Sequence, residues 1–333
     1  MAIDRSRTPV LDIKKLRTEF LIDGKWHAAV CDLSLAVGRN ETLAIVGESG
    51  SGKSMTALSI LGLLPAGSGR IGAGEILYGG QDLARMDERG LRRIRGKEIA
   101  MVFQEPMTSL NPTMRVGEQI AETIQSHRRI DKREAREMVR HLLQKVGIPS
   151  AERRMDDYPH QFSGGMRQRV MIAMAIACQP KVLLADEPTT ALDVTIQAQV
   201  LGVLNQLKAE QGMAMIFITH NLGVVALIAD RVAVMYAGEI VEVAPVERLF
   251  DRPAHPYTEA LLAAMPRVDR TSDAIKPIPG QVPSIQTNRR GCAFAPRCPL
   301  KVPRCESETP LLAPLTGFDA QQVRCFVRNP EVS

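Results

Sequence analysis

Two hydrophobic patterns alternate along the first 250 residues and predict two kinds of element. ETLAIV (41–46), EIAMVF (98–103), KVLLAD (181–186) and MAMIFIT (213–219) are short and almost continuously apolar, so they read as buried strands. Residues 131–146, 164–178 and 194–209 carry charged side chains on one face and Val, Leu, Ile or Met on the other, which predicts helices. RVAVMYAGEIVEV (231–243) predicts a β-hairpin turning at Ala237-Gly238. Strands alternating with helices imply an α/β fold built on a parallel sheet. The pattern changes at Pro253. From there on lie 12 of the 21 prolines, in the last 81 residues. Proline at that density interrupts regular elements, so a loop-rich C-terminal module is expected, tied down by something other than a large core.

Composition narrows the class. The 333 residues are 45% hydrophobic and 24% charged, a globular balance. No apolar run nears the roughly 18 residues of a membrane span, and MAIDRSRTPV has no apolar signal core, so neither an integral membrane protein nor a secreted one is expected. The 42 Lys and Arg exceed the 37 Asp and Glu by only 5, too little and too scattered to indicate nucleic acid. The charge-rich stretches 88–98 and 126–134 read as solvated surface, with acidic lipid or a partner as the alternative.

The chemistry begins after the first predicted strand. Gly47-Glu48-Ser49-Gly50-Ser51-Gly52-Lys53-Ser54, followed by Met55 and an apolar run, has the spacing of a phosphate cradle between strand and helix. Its glycines let the backbone wrap phosphates, and the amide groups with the helix N-terminus supply positive potential. Lys53 can reach the β- and γ-phosphates, and the Ser54 hydroxyl can ligate Mg²⁺. Such a site needs a carboxylate at a neighbouring strand end, and VLLADE (182–187) supplies Asp186 for the metal and Glu187 for the attacking water. Gln104 and His220 end two further predicted strands. A strand-end His or Gln is often plain surface, but open α/β sheets bind ligands at these ends, and four strands here end in suitable residues.

Phe162-Ser163-Gly164-Gly165-Met166-Arg167-Gln168-Arg169 precedes Asp186 by about 20 residues. Together with the cradle, Gln104, Asp186-Glu187, Ala191-Leu192-Asp193 and His220, it resembles an ABC-type ATPase over roughly residues 10–250. The resemblance implies a P-loop NTPase fold of ABC type, with a parallel-sheet core, an antiparallel β subdomain and a helical subdomain at about 105–178. It also implies bound ATP and Mg²⁺, with Gln104 joining Ser54 and Asp186 at the metal. Ser163, Gly164 and Gly165 would close over ATP held by a partner subunit, and Asp193 would belong to the same nucleotide-contacting set. Phe20 or Trp26 would stack on adenine, Phe20 having the better spacing. Met166 and Phe162 depart from the general signature, and Asn40 stands at a turn that more often carries Gly.

Gln104 to Pro112, Ala185 to Thr195, His255-Pro256-Tyr257 and the ending Cys292-Ala-Phe-Ala-Pro-Arg-Cys298-Pro are similar to the D-type ATPase subunit of dipeptide, oligopeptide and nickel importers. That resemblance covers the whole chain, as an ATPase domain (1–252) and a C-terminal extension (253–333). It implies a peripheral subunit on the cytoplasmic face of the inner membrane that hydrolyses ATP to import short peptides. Its partners would be an F-type ATPase subunit forming a heterodimer, two permeases and a periplasmic or extracellular peptide-binding protein, with no nucleic acid. Residues 105–112 are the candidate permease contact. Nickel cargo and a soluble, non-transport ABC ATPase are the alternatives; the latter would be expected to carry long coiled-coil insertions or tandem ATPase domains.

Cys292, Cys298, Cys305 and Cys325 form a C-x5-C-x6-C-x19-C pattern without the paired spacing of zinc ribbons. Spacing leaves an iron–sulfur centre, zinc or no metal open, while a cytosolic setting disfavours disulfides. The importer resemblance implies a [4Fe–4S] cluster on these four cysteines, with Zn²⁺ as the alternative. Cys31 and Cys178 sit in apolar contexts and read as packing residues.

Overall fold

The computed structural model describes residues 8–190, 192–265, 277–287 and 290–330; Ala191, from the Ala-Leu-Asp stretch, lies outside them. The described chain forms two compact units, one comprising the residues up to Ala36, 42–84 and from Ile218 onward, the other 37–41 and 85–217.

The first unit opens with β1 (Leu11–Ile22) and β2 (Lys25–Val37). Asp23 and Gly24 link them at φ of 50° and 73°, the left-handed pair that turns a tight hairpin. β3 (Thr42–Val46) is buried at every residue, as its unbroken apolar pattern predicts, and the phosphate-cradle stretch connects it to α1 (Lys53–Ile60). β4 (Gly69–Tyr78) pairs antiparallel with β1, and β5 (Gln81–Asp82) completes a sheet ordered β2-β1-β4-β5.

The second unit follows with α2 (Glu88–Ile94), β6 (Ile99–Val102), α3 (Pro106–Ser109), α4 (Val116–His127), α5 (Lys132–Lys145) and α6 (Ala151–Arg154). α7 (Gly164–Ile176), β7 (Val182–Asp186), α8 (Val194–Gln211) and β8 (Ala214–Thr219) complete it, the chain leaving the unit within β8. The strand order is β8-β7-β6. α5 shows why the helical readings succeed. Asp131 caps it by accepting the Glu134 N–H at 2.8 Å, and Ala135, Val139 and Leu143 bury one face at four-residue spacing. α8 ends at Gly212, whose φ of 61° closes the helix. The charged stretch 88–98 forms its own ion pairs, with Glu88 taking both Arg92 and Arg95.

The chain returns to the first unit with α9 (Leu222–Ile228), β9 (Arg231–Tyr236) and β10 (Glu239–Pro245). β9 and β10 are the predicted hairpin, turning through Ala237 and Gly238 at positive φ. α10 (Val246–Asp251), α11 (Pro256–Ala263), α12 (Arg304–Ser307), β11 (Ala313–Leu315) and β12 (Phe318–Val323) follow. β3 runs parallel to β9, β12 adds antiparallel to β10, and the strands of this unit are ordered β11-β12-β10-β9-β3.

The terminal segment therefore differs from the loop-rich module that its prolines predict. It contributes two strands to the sheet, and Phe294 enters the main core. The Phe294 ring meets Tyr236 edge-on at 5.3 Å and Tyr257 at 5.4 Å, while Tyr236 and Tyr257 lie 4.7 Å apart. Contacts of this kind contribute beyond the area they bury. Glu242 is fully buried, and its carboxylate is satisfied by the N–H groups of Ala254 and His255 and by Gln321 Nε2, at 2.7–2.9 Å. Proline breaks helices, but it leaves edge strands and aromatic docking available.

Candidate active site

The Gly47–Ser54 loop is a packed object. A Cβ on Gly47 would stand 2.1 Å from the Met235 carbonyl oxygen. One on Gly52 (φ 102°) would stand 2.7 Å from the Ala29 carbonyl oxygen, so neither position admits a side chain. Lys53 is 6% exposed, and its ammonium donates to the carbonyls of Gly47 (2.8 Å) and Glu48 (3.0 Å), with Ser51 Oγ at 3.5 Å. Ser51 is fully buried and accepts the Gly238 N–H on its carbonyl. Ser49 and Gly50 are exposed, and Ser54 and Met55 are half-buried. Glu48 is committed inward. Its N–H donates to the Tyr257 hydroxyl at 2.9 Å, and its carboxylate takes a two-pronged ion pair from Arg297 at 2.6 and 3.0 Å.

In the second unit, β6 and β7 run parallel with Val102 opposite Ala185, a register that brings Gln104 and Glu187 out side by side two residues later. Gln104 Nε2 donates to Glu187 Oε2 at 3.1 Å, and Thr190 Oγ1 donates to the same oxygen at 2.8 Å. Glu187 sits at φ 47°, a backbone strain that a non-glycine residue tolerates where surrounding structure fixes it. Asp186 is buried at the end of β7. Between α3 and α4, the Gln119 side chain accepts the Asn111 N–H and donates to the carbonyls of Asn111 and Met114, so it shapes the 105–112 stretch. Sequence patterning gave no sign of that brace.

Ser163 caps α7 by accepting the Met166 N–H at 3.3 Å. Gly164 is exposed, with nothing within 4 Å of a Cβ added there, whereas a Cβ on Gly165 would stand 2.5 Å from Ile196 Cγ2. Asp193 caps α8 through the Ile196 N–H at 2.9 Å, a sufficient reason for an acid at that position. Arg167 Nε donates to the carbonyls of Pro159 and Phe162 and so fixes the approach to α7.

His220 follows β8 and is exposed in the first unit. Phe20 is half-buried opposite Gly69, while the Arg70 guanidinium lies 3.9 Å over the Trp26 ring and covers one of its faces.

The four terminal cysteines gather in the first unit. Cys292 and Cys298 each lie close enough to Cys305 and Cys325 for negative charge on one to oppose ionisation of another. Burial pushes the Cys292 thiol up to about 11 and raises Cys298 and Cys325 as well. Nearby backbone N–H groups oppose that rise: those of Phe294 and Ala295 for Cys292, Leu300 for Cys298, Val327 and Arg328 for Cys325. Among the described residues, no three His, Cys, Asp or Glu side chains converge tightly enough to hold a single metal ion. Cys178 is buried with its S–H toward the Thr123 carbonyl, and Cys31 is half-buried with its own toward Ala28.

Residues 30–190 match the ABC transporter family, and 241–305 match the C-terminal region of oligopeptide/dipeptide transporters. A peptide import ATP-binding protein of Brucella ovis is 54% identical over 319 residues, covering 92% of this chain and 94% of its own. This chain belongs to that family of ABC ATPases. A second family member, a peptide import ATP-binding protein of Brucella abortus, is 48% identical over 330 residues, 99% of this chain and 98% of its own. The ABC fold is equally clear. The ATP-binding cassette MJ0796, solved as a dimer in a post-hydrolysis state with ADP and phosphate, has a TM-score of 0.64 at 28% identity. It covers 71% of this chain and 98% of its own. The cbiO1 cassette of Clostridium perfringens gives 0.63 at 26%, over 73% and 91%. As an ABC ATPase the protein converts ATP and water to ADP and phosphate. No helix among the described residues is long and apolar enough to cross a membrane.

Proposed function

We propose that this subunit hydrolyses ATP to drive the import of short peptides through permeases at the cytoplasmic face of the membrane. The observation that carries the chemistry is Glu187, a carboxylate held by Gln104 and Thr190 at the carboxyl ends of parallel strands. A hydrogen-bonded carboxylate there is suited to orient the attacking water, since phosphoryl transfer depends on positioning and charge stabilisation. Residues 47–55 cradle the phosphates, Lys53 leaves the loop carbonyls for the β- and γ-oxygens, and His220 contacts the γ-phosphate. Phe20 is assigned to adenine on its spacing, with Trp26, one face of which Arg70 covers, as the alternative. Ser54, Gln104 and Asp186 are hard oxygen donors, the set Mg²⁺ prefers; with Nε2 on Glu187, Gln104 keeps Oε1 for the metal. When bound, Mg²⁺ neutralises charge on the β- and γ-phosphates.

Ser163, Gly164 and Gly165 are assigned to nucleotide held by an F-type partner ATPase in a heterodimer, Asp193 to the nucleotide-contacting set, and 105–112 to a permease. Two permeases and an external peptide-binding protein complete the translocase. We assign residues 1–252 to the nucleotide-binding domain and 253–333 to the importer-type extension. Cys292, Cys298, Cys305 and Cys325 are assigned to a [4Fe–4S] cluster. Their all-sulfur donor set and the backbone N–H groups directed at three of the sulfurs support that assignment, because such N–H groups stabilise bound thiolates. Bound there, a cluster would supply cross-links between the turns of the terminal segment, and ATP hydrolysis needs no redox step. Protein purified without oxygen should contain iron and absorb in the visible; zinc without iron would reject the cluster.

Deletion of this subunit should abolish uptake of labelled di- and oligopeptides, and the intact chain should restore it. Restored nickel uptake with unchanged peptide uptake would overturn the peptide reading.

A further inference from the structure

Glu48 is the only acidic residue between Gly47 and Ser54, a stretch that must receive a polyanion. Its charge is met from 249 residues away. Arg297 lies in the short turn between Cys292 and Cys298, with a side chain 5% exposed, and it forks its two terminal guanidinium nitrogens onto the Glu48 carboxylate. The same guanidinium donates to the carbonyls of Pro279 (2.7 Å) and Ile278 (3.2 Å) and to the Tyr236 hydroxyl (3.3 Å). Tyr257 holds the Glu48 backbone from the other side. All six residues belong to the first unit.

We propose that Arg297 is a positioning residue of the nucleotide site: it neutralises and anchors Glu48, so that the cysteine-bearing turn sets the affinity of the phosphate loop for ATP. A fork to a carboxylate fixes both charge and orientation, which a point charge does less well. Without it, Glu48 presents an uncompensated negative charge in the loop that binds triphosphate. The inference rests on the reading of residues 47–54 as the ATP site.

The test is equilibrium titration of the full-length protein with a fluorescent ATP analogue, displaced by unlabelled ATP, in four forms. Arg297→Met should weaken binding about tenfold, the effect of one nearby unpaired like charge in a partly screened site. Arg297→Lys, which keeps the charge, should lose about threefold or less. The decisive form is Arg297→Met with Glu48→Gln, which should return to within about twofold of the wild type, because the offending charge is gone. Wild-type affinity in Arg297→Met, or no recovery in the double variant, overturns the proposal. Denaturant unfolding is measured on the same forms, and an affinity loss in Arg297→Met that only follows a loss of folded protein overturns the proposal. Should Arg297→Met fail to fold, Arg297→Gln with and without Glu48→Gln makes the same comparison. A wild-type protein that does not bind the analogue at all would refute the ATP-site reading instead.

Discussion

Two glycine-bearing helix starts are assigned to the nucleotide, and their packing differs. At the start of α1, glycine is compulsory because the surroundings are full: backbone atoms press on Gly47 and Gly52, and Lys53, Tyr257 and Arg297 hold the loop from within. At the start of α7, Gly164 faces open space, Gly165 packs against Ile196, and the Ser163 side chain caps the helix end. The first is a cradle complete in one chain. The second presents N–H groups and a positive helix end on an open side, as the proposed contact with a partner's nucleotide requires. A glycine can thus be required by neighbours already present or by a ligand still to arrive, and only packing tells the two apart.

Several substitutions would break or sharpen that contrast. The largest effects fall on hydrolysis. Lys53→Ala should weaken ATP binding by the isolated chain and lower turnover by about two orders of magnitude, measured by phosphate release. Gly164→Asp should leave ATP binding by the isolated chain intact, yet lower hydrolysis in the assembled transporter about a hundredfold, because a carboxylate there opposes an incoming phosphate. Equal loss of binding in both variants would erase the distinction. Next come effects on stability. Gly47→Ala should destabilise the protein by about 2 kcal/mol or more in denaturant unfolding, and Gly164→Ala by less than about 0.5 kcal/mol.

The braced side should also respond to acid. His255 accepts the Tyr257 N–H on Nδ1, and burial lowers its pKa from 6.5 to about 3. Unfolded chains therefore bind a proton that folded ones refuse, and stability falls as pH drops from about 6.5 toward 3. The slope approaches about 1.4 kcal/mol per pH unit within that window. His255→Asn should flatten the slope between pH 6.5 and 5; an unchanged slope would assign the acid sensitivity elsewhere. Ser163→Ala should lose about 1 kcal/mol of cap in the same denaturant unfolding, less than Gly47→Ala and more than Gly164→Ala.

Much of this was legible from residue order. The buried strands, the amphipathic helices and the Ala237-Gly238 turn follow from periodicity and turn chemistry, since each is fixed by neighbours close in sequence. The phosphate loop and the Asp186-Glu187 step are legible for the same reason. The pairing of Gln104 with Glu187 is not, because it depends on a parallel register set across 83 residues. Nor is the Arg297–Glu48 pair, which joins two stretches whose local patterns say nothing about each other. The proline-rich terminus misleads most: proline density predicts poor secondary structure, yet Phe294 completes an aromatic core cluster and β12 extends the sheet.

Glu187→Gln tests the central claim most directly, because it keeps the shape and a hydrogen-bonding oxygen while removing the charge proposed to orient water. ATP affinity and single-turnover hydrolysis are measured together on the assembled transporter. The account predicts affinity within about twofold of the wild type and hydrolysis slowed at least about a hundredfold. Undiminished hydrolysis would contradict it.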